Sequence, residues 1–563
     1  VRWSALPVLL LSVIALFGGL GRGAIGDSDE AFYAESAREM VISGDWITPH
    51  FNYEPRFQKP ALYYWLTALL FSVAGPSEFA ARAWSALAGV GLAVVTAACA
   101  RRWYGGHVGL LAGAIVATSF GSFALARMAL PDLPLAFFIT LAIWAAFVAA
   151  LERERHPRRW LLLAASAAAL GFLVKGPLAV VLPALVVLPV LAIERRSFNI
   201  GVADVSAAAL LFGAIAVPWY AVMWWLHGTD YLLGFFVGDN LERFATARFN
   251  EPRPWWFYLP IIAGGMLPWT PLMLTWVAPL WQFLRRRRDI GTVDLRLLLW
   301  ALLPLAFFTI SVGKQPRYIL PVLPPLAILL AASIVERTRE WRGLDGARRH
   351  PRRSGAVVAG CLLGGAVLVA LAVLLYRARA LFVNVAEANT LAVAWVVGAA
   401  GAAVVLVSLT RAWRAGPAAL ALAAAVSFAV LPYGVLSAAG DSTVVQVAHA
   451  VRRLHTPADA IGTFQVLVRN LVFYTHLPHT DLIHDRHLAE WIEQRGQALV
   501  VMPAEQADRL AAAGWRLQPL ASFPYFNEGS IKLRALLWPD PARDLERIAI
   551  VRITGRPPTA SPD

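Results

Sequence analysis

Ala61-Leu-Tyr-Tyr-Trp-Leu-Thr-Ala-Leu-Leu-Phe-Ser-Val-Ala-Gly75 is the segment on which the reading of the whole chain turns. It is apolar, yet as a helix it rises only about 22 Å, against about 30 Å of bilayer hydrocarbon. Its neighbours decide whether it crosses a membrane or lies on one. Thirteen other apolar runs are long enough to span, near 5–25, 79–100, 107–126, 132–151, 160–175, 177–193, 203–222, 257–282, 294–312, 318–335, 355–376, 391–410 and 417–438. If 61–75 stays on the surface, one side of the membrane receives Arg2, Arg101, Arg102, the cluster 153–159, Arg195, Arg196, the run Arg285–Arg288, the segment 337–353, Arg411 and Arg414. The other side receives Asp27, Asp29, Glu30, Asp132, Lys175, Asp230, Asp239, Lys314 and everything after 439. If 61–75 crosses, every later loop inverts and the arginine runs no longer agree with Arg2. The positive-inside rule therefore makes 61–75 an interfacial helix anchored by Tyr63, Tyr64 and Trp65, with the N-terminus cytoplasmic and the C-terminal region outside.

Composition agrees. Of 563 residues, 58% are hydrophobic and 15% charged, where soluble proteins carry about 25% charge. Mean hydropathy is +0.58. These values exclude a soluble enzyme, a disordered chain and a collagen-like fibre. The balance of 50 basic and 36 acidic residues gives +14, which in a membrane protein reports cytoplasmic loops and not nucleic acid. Only four lysines occur: Lys59, Lys175, Lys314 and Lys532. Cys99 and Cys361 lie in apolar runs, so no disulfide framework is expected. The first span lacks a convincing small-x-small cleavage site and is read as a membrane helix, not a signal peptide. No fixed-period repeat is present.

The expected organisation is an all-α polytopic membrane domain over 1–439, with extracytoplasmic loops 26–78 and 223–256, and an α/β extracytoplasmic domain over 440–563. In the latter, apolar stretches Ala460–Val468, Ala498–Met502 and Ile531–Leu537 read as strands. Val444–Leu454, Leu488–Arg495 and Ala504–Ala513 read as helices, and Thr554–Asp563 as disordered.

The first long loop concentrates ionisable residues. Asp27 fits a helix N-cap with Glu30 as its capping-box partner, and Gly44 ends that helix. Asp27, Asp29 and Glu30 either complement the helix dipole or, for Asp29, face a site at the membrane surface. Lys59 precedes Pro60 and is held extended; it is a snorkelling lysine or a phosphate ligand.

Asp29-Glu-Ala-x-Tyr33-Ala-Glu35, Gly44-Asp-Trp46, and Lys59-Pro60 with Tyr64-Trp65 resemble the first outer loop of the bacterial aminoarabinose transferases, within the protein O-mannosyltransferase-like GT-C glycosyltransferases. Leu130-Pro131-Asp132 and Lys314-Gln-Pro-Arg317-Tyr318-Ile-Leu-Pro321 match further. Gln58 departs from the acid found before the lysine in many relatives. The resemblance implies a GT-C fold of about thirteen membrane helices. It implies an undecaprenyl-phosphate-linked aminosugar donor, a lipid A acceptor, and a periplasmic active site in a multi-pass inner-membrane protein. Transfer of 4-amino-4-deoxy-L-arabinose to lipid A phosphates, with polymyxin resistance, is the expected activity. Lys59, Arg243 and Tyr318 would hold the lipid phosphate, and Asp29 and Asp132 would be catalytic. Glu30, Tyr33, Arg56, Lys175, Lys314 and Arg317 are secondary candidates.

The residues make chemical sense of that role. Breaking an anomeric C–O bond leaves charge on a phosphate, which preorganised cations stabilise. A lipid A phosphate is already anionic and needs no general base, so Asp29 and Asp132 would orient the sugar and stabilise its positive charge. A hydroxyl acceptor would instead make Asp29 a base. The second loop, with Trp224, Trp225, His227, Asp230, Asp239, Glu242, Arg243, Arg248 and Arg253, either covers a substrate cavity or forms an interfacial belt. His476, His479, His484 and His487 with Asp481 and Asp485 are a candidate metal cluster, although their spacing matches no tight zinc signature. No cofactor requirement is visible. Gly21-x-Gly23-x-x-Gly26 follows a membrane span and no strand, so it is not a dinucleotide fingerprint. The alternatives are a protein O-mannosyltransferase-like or other polyprenyl-phosphate-sugar transferase with a different acceptor, and, more distantly, a lipid transporter. A transporter predicts midplane charge and paired halves, neither of which is apparent.

Overall fold

The computed structural model describes residues 5–27, 29–195, 200–247, 252–277, 279, 281, 291–338, 341, 342, 348, 349, 354–527 and 533–555. The arginine run 285–288, Arg196, Arg248 and the end of the chain beyond Gly555 lie outside the described residues.

Among the described residues nine helices are long and apolar enough to cross a membrane, or ten when one bent pair is counted as a span. The order begins α1 (Leu6–Phe17), α2 (Asp29–Ser43), the short strands β1 (His50–Phe51) and β2 (Glu54–Pro55), and α3 (Leu62–Ala74). It continues with α4 (Glu78–Tyr104), the bent pair α5 (Gly106–Ala117) and α6 (Phe120–Ala126), α7 (Asp132–Leu151), α8 (Pro157–Lys175), α9 (Leu178–Glu194) and α10 (Val202–Leu232). The pivotal segment 61–75 forms α3, thirteen residues long. It packs on α2 through Tyr33, Tyr63 and Tyr64, and Trp65 donates to the Trp46 carbonyl.

The run expected at 257–282 is not one continuous helix. Tyr258–Gly265 is α-helical and Thr270–Trp276 is a tighter 3-10 segment. Gly264, Gly265, Pro268 and Pro271 interrupt the backbone ladder between them. The segment 223–256 is also more regular than a loop: after a break at Gly228 (φ 65°), Leu233–Glu242 winds as a π-helix and Arg243–Ala245 closes it.

The short pair β3 (Trp341–Arg342) and β4 (Arg348–Arg349) precedes the last membrane helices. The C-terminal region then forms a five-stranded mixed sheet, β6-β5-β7-β9-β8. Its strands are β5 (Ala460–Phe464), β6 (Thr480–Leu482), β7 (Ala498–Pro503), β8 (Arg516–Tyr525) and β9 (Glu546–Gly555). β5 runs parallel to β6 and β7, while β9 is antiparallel to both of its neighbours. Two expectations are corrected. Leu533–Leu537 is helical, not a strand. Thr554 and Gly555, read as disordered, complete β9, whose Ile548, Ile550, Val551 and Ile553 fill the sheet core. β8 went unread because Pro519 and Pro524 argue against a strand; it lies at the sheet edge, where proline is tolerated.

Candidate functional site

Asp29 opens α2, and its neighbour Glu30 sets which way it faces. Glu30 is 3% exposed. It takes an ion pair from Arg82 at 2.8 Å and accepts the backbone N–H groups of Gly26 (2.8 Å) and Ala129 (3.0 Å). Arg82 also donates to the carbonyls of Leu20, Arg22, Gly23 and Ala24. This buried pair ties the entry to α2, helix α4 and the approach to Asp132 together. The next residue back, Asp29, is turned outward with 40% of its side chain exposed. The capping reading is thereby corrected: Asp27 does not cap α2. Its carboxylate instead accepts the N–H groups of Val468, Arg469 and Asn470 from the C-terminal region.

Asp29 and Asp132 are joined through Arg317. The guanidinium bonds directly to Asp29 and places Nε 3.5 Å from Asp132 Oδ2. The other oxygen of Asp132 accepts from Lys175 Nζ at 2.6 Å. Lys175 Nζ lies 5.0 Å from the Tyr318 ring centroid, within cation–π range. Burial alone would raise the Asp29 carboxyl, but Arg317 and then Arg469 hold it below its ordinary value.

A second group continues from Tyr318. Asp239, 6% exposed, accepts from Arg243 at 2.9 Å and faces Lys59 Nζ at 3.7 Å. Lys59 is held by its flanks: Phe57 packs on His227 and Tyr231, and Ala61 sits in the aromatic cluster of Trp219, Tyr220 and Phe235. Burial, with Arg243, Lys175 and Arg56 near it, lowers the Lys59 ammonium to about 7, against the pull of Asp239. Gly313 is required beside Arg243, because a Cβ there would stand 2.0 Å from the Arg243 carbonyl oxygen.

Lys59, Lys175, Asp239, Arg243 and Tyr318 line one cavity of about 340 Å³. Most of its remaining wall is apolar, built from Leu178, Val181, Phe236, Phe244, Phe307 and Phe308 among others, with Asn240 and Ser311 the polar exceptions. A charged end with a greasy flank suits a lipid phosphate better than a soluble anion. A smaller apolar cavity of about 60 Å³ lies beside Arg317 and Ile319 and carries no comparable chemistry.

Of the eleven residues singled out from sequence, Asp29, Asp132, Lys59, Arg243, Tyr318, Lys175 and Arg317 fall into this connected set. Glu30 is in the structural pair with Arg82. Tyr33 is 4% exposed and stacks on Tyr64 in the α2–α3 core. Lys314 donates to the Ser311 carbonyl three residues back and does not line the cavity. Arg56 stands over the Phe32 ring. Asp239 was not singled out; its four-residue spacing to Arg243 was the available signal. Among the described residues no group of three or more His, Cys, Asp or Glu is arranged to hold a metal, the histidines of 476–487 included.

The family described as dolichyl-phosphate-mannose-protein mannosyltransferase matches residues 26–231. The undecaprenyl phosphate-alpha-4-amino-4-deoxy-L-arabinose arabinosyl transferase 2 of Pseudomonas fluorescens is 36% identical over 349 residues, 61% of this chain and 58% of that protein. The undecaprenyl phosphate-alpha-4-amino-4-deoxy-L-arabinose arabinosyl transferase of Pseudomonas aeruginosa LESB58 is 38% identical over 317 residues, 55% of this chain and 56% of that protein. The chain thus spans less than two thirds of the length of these curated relatives. The crystal structure of ArnT from Cupriavidus metallidurans bound to undecaprenyl phosphate superposes with a TM-score of 0.69 at 22% identity, over 97% of each chain. The fold is that of a helical membrane protein of the ArnT type, and residues 26–231 are similar to the protein-mannosyltransferase family. Over 55–61% of its length the chain is similar in sequence to bacterial aminoarabinose transferases.

Proposed function

We propose that the chain is a polyprenyl-phosphate-sugar dependent glycosyltransferase. It moves 4-amino-4-deoxy-L-arabinose from undecaprenyl phosphate to phosphate groups of lipid A. The observation that carries this reading is the single cavity in which Lys59, Arg243 and Tyr318 meet an apolar wall, next to the Lys175–Asp132 pair. The names of the sequence relatives support the sugar and the donor.

In the reaction an acceptor phosphate oxygen bonds to the anomeric carbon, and the donor C–O bond breaks with its electron pair leaving on undecaprenyl phosphate. Lys59, Arg243 and the Tyr318 hydroxyl receive that charge. No proton has to be removed from the acceptor. Asp29 and Asp132, held by Arg317 and Lys175, orient the sugar and stabilise its oxocarbenium-like charge. Asp239 holds Lys59 and Arg243 together where the phosphate would lie.

The architecture follows from the same reading. Leu6–Phe17, Leu178–Glu194 and the interrupted segment from Tyr258 join the ten candidate spans to give thirteen. Residues 1–439 form the membrane domain and 440–563 the outer domain. The N-terminus is cytoplasmic and the site opens on the periplasmic face of the inner membrane.

The test is expression in a polymyxin-sensitive strain lacking its own aminoarabinose transferase, beside Asp29→Ala and Lys59→Ala at equal expression. A lipid A mass gain of one aminopentose, lost in both variants, is expected. No gain from well-expressed wild type would instead support another polyprenyl-phosphate sugar or a protein acceptor.

A further inference from the structure

Two guanidinium groups near Asp29 belong to neither the cavity nor the Arg317 bridge. Arg56, just after β2, has its guanidinium carbon 3.7 Å from the centroid of the Phe32 ring. Arg469, from the C-terminal domain, stands 5.1 Å from the same ring. Phe32 is three residues, about one helical turn, from Asp29. Arg469 is the strongest cationic influence on Asp29 after Arg317. The buried Nε of Arg56 has no hydrogen-bond partner. Neither arginine forms an ion pair among the described residues.

The backbone that carries each arginine is anchored. Asp27 Oδ1 accepts the Arg469 N–H at 2.6 Å, and the Asn470 amide donates to the Ile25 carbonyl at 2.9 Å. The loop before them takes left-handed backbone at Gln465 (φ 61°) and Leu467 (φ 51°). Such conformations persist at non-glycine residues only where the surroundings over-determine them. Arg56 is pinned to the same domain: Asn52 donates to the His479 carbonyl at 2.7 Å and accepts its N–H at 3.0 Å. Guanidinium forks without an ion-pair partner match the bidentate geometry of a phosphate.

We propose that Arg469, with Arg56, binds the phosphate of the acceptor lipid beside Asp29, so that the C-terminal domain supplies half of a second anion site. This rests on the reading above that the acceptor is a phosphorylated lipid. The reaction brings an attacking phosphate towards a leaving one, and two like charges at short range repel strongly where the dielectric is low. A separate set of cations for each phosphate offsets that repulsion. Arg469 therefore acts on the acceptor and not on the donor.

The experiment uses the full chain in lipid nanodiscs, as wild type, Arg469→Gln and Arg469→Lys, with matched thermal stability. Acceptor KM is measured with diphosphoryl lipid A at saturating donor, and donor KM separately. Direct binding is measured for diphosphoryl and fully dephosphorylated lipid A, with inorganic phosphate as competitor. Arg469→Gln should raise acceptor KM about tenfold, the loss of roughly 1.4 kcal/mol, with donor KM unchanged and partial recovery in Arg469→Lys. Binding of the dephosphorylated lipid should not respond to the substitution. Transfer with unchanged acceptor KM in Arg469→Gln, or a rise in donor KM alone, would overturn the site and leave the enzyme reading standing. If wild type transfers nothing yet its phosphate-dependent lipid binding is lost in Arg469→Gln, the anion site stands and the enzyme reading falls. No phosphate-dependent binding by wild type overturns both. Competition by inorganic phosphate as strong as by the lipid would mark a free-phosphate site and overturn the lipid assignment.

Discussion

Lys175 donates to Asp132 at 2.6 Å, so the lysine ending α8 is committed to a carboxylate before any substrate arrives. By sequence it was only a secondary candidate; its contact makes it the residue that fixes one oxygen of Asp132 while Arg317 approaches the other. Lys175→Met should therefore reduce transfer by misplacing Asp132. A charge-assisted hydrogen bond is worth about 1.5–3 kcal/mol, or roughly ten- to 150-fold in kcat/KM. Lys175→Arg should recover part of it. A loss confined to donor KM would return Lys175 to the phosphate.

If Lys59 holds the donor phosphate as proposed, donor binding should depend on pH. Its ammonium is lowered to about 7 by burial and neighbouring cations. It is charged below that value and neutral above it. Binding a phosphate above pH 7 must therefore take up a proton, and donor affinity should fall by up to about tenfold per pH unit until the lysine of the complex itself titrates. Lys59→Arg, whose guanidinium stays charged, should flatten that limb. Donor KM measured from pH 6 to 9 for both proteins decides it; a wild-type KM flat over this range would remove the role.

Glu30 and Asp29 are adjacent in sequence and opposite in consequence. Removing one partner of the buried Glu30–Arg82 pair leaves a charge uncompensated and should cost about 3–5 kcal/mol of stability. Glu30→Ala should melt early or fail to accumulate. Asp29→Asn, at a half-exposed site, should abolish transfer with little change in melting temperature. Thermal unfolding in detergent with transfer assays separates the two. Equal destabilisation by both would mean that Asp29 is structural.

Gly313 tests how Arg243 is seated. A Cβ at 313 would overlap the Arg243 carbonyl, 2.0 Å away, and backbone cannot yield as a flexible side chain can. Gly313→Ala should displace Arg243 and raise donor KM at least about tenfold, a shift of roughly 1.4 kcal/mol. Acceptor KM should stay where it was. An unchanged donor KM would exclude Arg243 from the phosphate site.

Hydropathy made most of the long apolar helices legible, and 61–75 forms a helix of thirteen residues, below spanning length as its sequence suggested. Asp29, Lys59, Asp132 and Tyr318 stood out as candidates because their local motifs are specific. What escaped was pairing at long range. Glu30 looked like a capping partner because Asp27 stood three residues before it; nothing local tells that Arg82 competes for the same carboxylate. Asp239 was one acid in a charged loop until helical winding set it against Arg243 and Lys59. The edge strand β8 hid behind its prolines, which only a known position in the sheet excuses.

The clamp of Asp27 on the backbone of 468–470 joins residues 441 to 443 positions apart. It has a consequence for biogenesis. During synthesis the first loop emerges early and must wait for nearly the whole chain, delivered to the same side of the bilayer, before residues 468–470 can dock on it. Until then neither Arg469 nor the Asn52–His479 contact is in place. A nascent chain paused among its later membrane helices can have folded the segment around Asp29 without this contact, so that side of the site is completed only after residues 468–470 have been made.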